Sequence, residues 1–236
     1  GGGDVKRLHG GQAARAGLLA AQLAQAGVTA PVGIIGAYSG FAQAFAAVPP
    51  GSDLALHLPP KAGFRMLDCY IKPHACCRHL QPALEAVIDL CTQHCLTAGD
   101  IHEVSIETYS IAAHHAGLGW GDFASAQLSF PYVIALGLVH RRADLDLFGD
   151  MARRDSAIAD VTRRIRVSAS PQMDALYPRH RPARVTLKTA AGEVTCERME
   201  ATGCQEMPLS DDLLQHKFHG LTDRADWGMA MWSMSG

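Results

Sequence analysis

Charge is scarce in this sequence. Under a fifth of its 236 residues are Asp, Glu, Lys or Arg, and the formal net charge is −2. A chain so nearly neutral carries no electrostatic footprint for nucleic acid or for an anionic membrane surface. No apolar run approaches the roughly 18–20 residues of a membrane span. No secretory leader is expected either, because Lys6 and Arg7 lead into an Ala-rich helical pattern and not into an apolar core with a cleavage site. The seven cysteines include an adjacent pair and an odd member, unlike the framework of a disulfide-stapled secreted domain. The expectation is a reduced, cytoplasmic protein. There is no internal repeat, and the Gly-rich residues 1–10 have neither P-loop nor dinucleotide spacing.

What remains is a folding chain. Apolar residues make up 48% of it, which excludes a disordered polymer, and its length suits one large domain or two small ones. Gln12 to Ala26 reads as a small-residue helix closed by Gly27, with an Ala and Gly surface suited to close helix packing. A second helix starts near Ser39 and stops at Pro49-Pro50-Gly51. Residues 51–70, with His57, Pro59 and Pro60, have no regular period. Leu80, Ala83, Leu84, Val87, Ile88 and Cys91 recur at helical spacing, and Gly99-Asp100 marks a stop. Ile101 to Tyr109 alternates as a half-buried strand. Asp122 caps a helix over roughly 124–139, poor in polar residues and therefore buried. Helices near 144–148 and 150–159 precede a strand from Arg163 to Ala169. Arg184–Thr189 and Glu193–Glu200 flank a hairpin turn. Ser210 caps a last helix through Lys217 and Phe218. This order predicts an α+β fold on a helical base.

The chemistry concentrates in Ile71-Lys72-Pro73-His74-Ala75-Cys76-Cys77-Arg78-His79. Pro73 keeps Lys72 out of helical geometry, and Pro82 fits only a first helical turn. The cluster therefore sits on a loop at a helix N-terminus, where free N–H groups and the dipole favour anions. Lys72 and Arg78 add full charges, so a carboxylate ligand is the natural guess. Zinc on His74, His79, Cys91 and Cys95 is the competing idea, but adjacent cysteines chelate poorly and Cys91 and Cys95 fit a helix face. No acyl-transfer constellation accompanies the thiols. His114-His115 lies in a loop, and nothing in the sequence fixes its partner.

Several motifs together resemble the MmgE/PrpD family. They are Lys6-Arg7-Leu8-His9-Gly10 with Ala13-Ala14 and Gly17, then Tyr38-Ser39-Gly40-Phe41 with Phe45, and Ile71-Lys72-Pro73 through Cys77-Arg78-His79. Ala126-Gln127-Leu128-Ser129-Phe130-Pro131-Tyr132 follows, and Pro208-Leu209-Ser210 with Lys217-Phe218 closes the series. The likeness runs over about residues 1–222 and covers the family's C-terminal half. The family contains 2-methylcitrate dehydratases, cis-aconitate decarboxylases and iminodisuccinate epimerases. The resemblance implies a helical domain with a smaller α+β lid, an active site between them, and usually a homodimer. It implies no metal and no organic cofactor.

Carried onto this chain, the resemblance gives 1–60 as a remnant of the helical domain, 61–207 as the α+β lid, and 208–236 as a returning helix with an irregular tail. Lys6, Lys72, His79 and Tyr132 become the candidate catalytic residues, and His9, Arg78 and Cys77 the candidate substrate-binding ones. The implied reaction is proton abstraction beside a carboxylate of a small polycarboxylate, dehydration before epimerisation. Decarboxylase-type members place a histidine near the position of Cys77, so the cysteine disfavours decarboxylation. Family members are longer, and this chain begins midway through the helical domain. A complementary N-terminal segment or an oligomer is therefore the expected partner, little activity is expected of the chain alone, and a non-catalytic binding remnant is the alternative.

Overall fold

The computed structural model describes residue 5, residues 8–49, residue 52 and residues 69–222. Lys6, Arg7, His57, the Pro59-Pro60 pair and the tail from Trp227 lie outside the described residues. The chain divides into two compact units at Arg65/Met66.

The first unit holds α1 (His9–Gln25) and α2 (Phe41–Ala46). Gly27, at φ +91°, closes α1 as expected, with its N–H donating to Ala24 and that of Val28 to Leu23. None of the α1 residues is buried, and Leu18, Leu19 and Leu23 are exposed. In α2 the Phe41 and Phe45 rings pack at 4.7 Å.

The second unit is α+β. Its elements are α3 (Gln81–Gln93), β1 (Ile101–Thr108), α4 (Ser110–Ala113), α5 (Phe123–Ala126), α6 (Phe130–His140), α7 (Asp150–Arg153), α8 (Ser156–Thr162), β2 (Ile165–Ala169), α9 (Pro171–Asp174), β3 (Ala183–Thr189), β4 (Gly192–Arg198) and α10 (Asp211–Thr222). The strands form one mixed sheet in the order β2-β1-β3-β4, parallel between β1 and β2 and antiparallel elsewhere. Val104, Ile106 and Thr108 of β1 and Val185 and Leu187 of β3 turn inward. Helix α3 covers β3 and β4, and α6 packs between α3 and α8. Gly137 lets α3 and α6 approach, since a Cβ there would stand 2.6 Å from the buried Leu84 Cδ1.

Three helix boundaries differ from the sequence expectation. Helix α3 stops at Gln93, well before Gly99, because Cys95 takes the left-handed conformation and Leu96 N–H returns to the Cys91 carbonyl. The helix expected over 124–139 is two helices. Pro131 has no N–H for the Gln127 carbonyl four residues earlier, and that carbonyl instead accepts the Cys77 N–H at 2.9 Å. The helix expected over 150–159 is likewise split, because Asp155 caps a new helix through the Ala157 N–H at 2.8 Å. The Asp122 cap is present as a full capping box with Ser125, and α6 is buried as its composition requires.

Candidate functional site

The loop from Ile71 to Leu80 is held by its backbone. Ile71 N–H donates to Gly203, Ala75 N–H to Ala143 and Cys77 N–H to Gln127, and the Gln81 amide donates to the carbonyls of His74 and Cys76. Gly203 sits at φ +89°, where a Cβ would meet the Ile71 carbonyl oxygen at 1.8 Å, so glycine is required for this crossing. The loop ends in a short 3-10 turn, Arg78–Leu80, that runs into α3. A loop tied at so many points presents its side chains rigidly.

One side of the loop carries Cys77 and His79. Cys77 Sγ lies 3.9 Å from His115 Nε2, and His79 Nδ1 lies 2.5 Å from the Tyr109 hydroxyl. The His79 and His115 rings are 5.8 Å apart, Tyr109 stacks on Tyr177 at 4.8 Å, and the Arg181 guanidinium lies 5.9 Å from the Tyr177 ring centre. Burial pushes the Cys77 thiol up, but the His115 contact, the His79 backbone N–H and the charges of His115 and Lys72 together bring it below the usual thiol value. The contact with Cys77 raises His115 in turn. His79 is pushed down to about 4 by burial and by the neighbouring His115, Arg181 and Arg78, so it is neutral near pH 7. Burial keeps the Tyr109 phenol protonated. Its hydroxyl shares one hydrogen bond with His79 Nδ1.

The other side of the loop faces a cavity of about 370 Å³, lined by Pro73, His74 and Ala75 with Arg142, Leu213 and Lys217 among others. Arg142 is neutralised there by Asp144 and Asp146. Lys217 is lowered by burial and by the Lys72 charge. Lys72 itself donates to the Cys76 carbonyl at 2.9 Å and acts electrostatically on both sides of the loop.

The candidate residues thus separate. Lys72, Cys77 and His79 are brought together. Arg78 is buried beside them, paired with Glu200 at 3.0 Å and set 4.4 Å from the Tyr70 ring, with its Nε and Nη1 unpartnered. Tyr132 is fully buried between Trp120 and Phe148, and its hydroxyl donates to the Leu147 carbonyl at 2.6 Å. His9 begins α1 in the first unit, and Lys6 lies outside the described residues. Among the described residues no group of three or more His, Cys, Asp or Glu is arranged to hold a metal, and all seven cysteines are thiols. Sequence reasoning passed over Tyr109, Tyr177 and Arg181. Tyr109 follows the last residue of β1, and a polar residue at a strand end was the available signal. Only the fold brings 177–181 to it.

The Tyr132 geometry gives a direct test. Tyr132→Phe leaves the Leu147 carbonyl without its donor and is expected to cost about 1–3 kcal/mol in urea unfolding. Turnover per folded molecule should stay within about twofold. A loss near 100-fold, of the size seen when a catalytic proton donor is removed, would instead make Tyr132 part of the site.

The C-terminal domain model of MmgE/PrpD matches residues 74–226, and the chain belongs to that family. Among its relatives is a cis-aconitate decarboxylase of Aspergillus terreus, 25% identical over an alignment of 238 positions that covers 93% of this chain and 48% of the relative. A second, from Aspergillus terreus strain NIH 2624 / FGSC A1156, is 25% identical over 239 residues with the same shares. The chain spans about half the length of the curated relatives it matches. No helix among the described residues is long and apolar enough to cross a membrane.

Proposed function

We propose that this chain carries part of a lyase site that takes a proton beside a carboxylate of a small polycarboxylate, with dehydration of a β-hydroxy acid of the 2-methylcitrate kind as the reaction. The observation that carries the reading is the cluster of Cys77, His79 and His115 flanked by the cations Lys72 and Arg181. Proton abstraction next to a carboxylate needs a base with a matched pKa and positive charge where the enolate-like oxygen develops. The cluster supplies both kinds of group. The remainder of the site belongs to a complementary segment or a second copy of the chain. The exposed leucines of α1 give such a partner an apolar face to cover.

A second reading is decarboxylation, favoured by the relatives named for cis-aconitate. The test is to offer 2-methylcitrate, cis-aconitate and iminodisuccinate to the chain alone, and then to the chain mixed with the N-terminal half of a longer family member. Expected is loss of water from 2-methylcitrate, seen as new alkene absorbance, that depends on the added half. Release of carbon dioxide from cis-aconitate would favour the second reading, and inversion of iminodisuccinate would make the protein an epimerase. Binding without turnover of all three would leave a non-catalytic subunit.

A further inference from the structure

Resting on the lyase reading above, we propose that Cys77 and His115 form the acid–base couple of the site. The Cys77 sulfur takes the carbon-bound proton, and His115 protonates the departing hydroxyl of a β-hydroxy polycarboxylate.

The geometry fixes the roles. His115 Nδ1 lies 3.1 Å from the Ile111 carbonyl, which only accepts, so Nδ1 carries a proton and Nε2 faces the Cys77 sulfur. A proton passed from the sulfur to Nε2 gives a thiolate beside an imidazolium. Three further features hold the negative sulfur. Cys77 sits where the 3-10 turn into α3 begins, the His79 backbone N–H favours its thiolate, and the Lys72 ammonium acts on it. The titratable and charged groups around the pair are Lys72 and His79 on the loop, Arg78 and Arg181 acting on His79, and Tyr109 behind His79 with Tyr177 and Glu200.

The neighbours fail as bases for physical reasons. Cys76 is 1% exposed, its sulfur takes a hydrogen bond from the Gln81 amide at 3.3 Å, and burial pushes its thiol up. His79 has its Nδ1 engaged with the Tyr109 hydroxyl, and burial with the neighbouring His115, Arg181 and Arg78 pushes it down to about 4, which makes it a weak base.

The step balances within the couple. The thiolate takes the proton from the carbon beside the carboxylate, and the C–H electron pair becomes the new C=C bond. The C–O bond to the β-hydroxyl breaks, and the oxygen leaves as water with the His115 proton. A thiol and a neutral imidazole remain. Transfer of the thiol proton to Nε2 across the 3.9 Å contact restores the starting pair.

Two measurements test it. The first follows iodoacetamide labelling of the Cys77 peptide of the full chain by mass spectrometry against pH, with N-acetylcysteine as reference thiol. The Cys77 midpoint is expected below the reference, and His115→Gln should move it up. A midpoint equal to the reference, or one that His115→Gln does not move, overturns the couple. The second follows deuterium uptake from D2O into 2-methylcitrate, and its dehydration, by the chain with the added N-terminal half. Cys77→Ser and Cys77→Ala should each reduce both by at least about 100-fold, as expected for loss of a general base. If the unsubstituted protein shows neither exchange nor dehydration, the lyase reading fails and takes this proposal with it. If it is active and both Cys77 variants keep their exchange, the reading stands and the base assignment alone is wrong.

Discussion

Lys72→Met is expected to lower turnover of the polycarboxylate by at least about 100-fold, the scale of losing one preorganised group that stabilises developing charge. Methionine keeps much of the length and apolar stem while removing the ammonium. The charge it removes favours the Cys77 thiolate, so the variant keeps less of the thiol ionised and also loses electrostatic stabilisation. The fold should survive. Lys72 donates to the Cys76 carbonyl, and that oxygen keeps the Gln81 amide as a second donor at 3.3 Å. Unfolding free energy should change by no more than about 1 kcal/mol. Steady-state kinetics beside a urea melt separates the two effects, and a folded variant with turnover within threefold of the parent would remove Lys72 from the site.

The largest expected loss of stability is at Glu85. Its side chain is only 8% exposed, and its carboxylate accepts from Arg198 Nη1 at 2.8 Å, from the Thr202 N–H and from the Thr202 hydroxyl at 2.9 Å. Glu85→Ala leaves a partly buried guanidinium and a backbone donor short of a partner. A cost of about 3–5 kcal/mol is expected, a large share of the roughly 5–15 kcal/mol that holds a domain folded. Asp89 provides the control. It also contacts Arg198, at 2.6 Å, but is 45% exposed, so Asp89→Ala should cost at most about 1 kcal/mol. Equal losses at the two positions in urea unfolding would overturn the assignment of the anchoring role to Glu85.

Much of the second unit was legible because its signals are local. The alternation in 101–109, the hairpin around 190–192 and the Asp122 cap each depend on a few neighbouring residues, and each forms as read. The errors came from residues whose partners are distant. The break before α6 exists because Pro131 frees a carbonyl that Cys77 then uses, and the sequence alone does not show that pairing. The site follows the same rule. Lys72, Cys77 and His79 share one motif, so their grouping is local in the sequence. His115 lacked a partner until the loop after α4 folded back to the motif. Tyr177 and Arg181 arrive only through the chain between β2 and β3. The motif around Tyr132 likewise carries no sign of the hydrogen bond that its hydroxyl makes to the Leu147 carbonyl inside the core.

The sheet order has a consequence for how this protein is made. β1 lies inside the sheet, yet both of its neighbours, β2 and β3, are synthesised later, and Ile101 waits for Thr189. A nascent chain that has left the ribosome only as far as β1 therefore shows two unpaired backbone edges and an apolar face, the arrangement most prone to pairing with other chains. The Arg78–Glu200 pair, 122 residues apart in sequence, cannot form until β4 is out. Cys77 and His79 thus leave the ribosome well before Tyr177, Arg181 and Glu200, which later surround them.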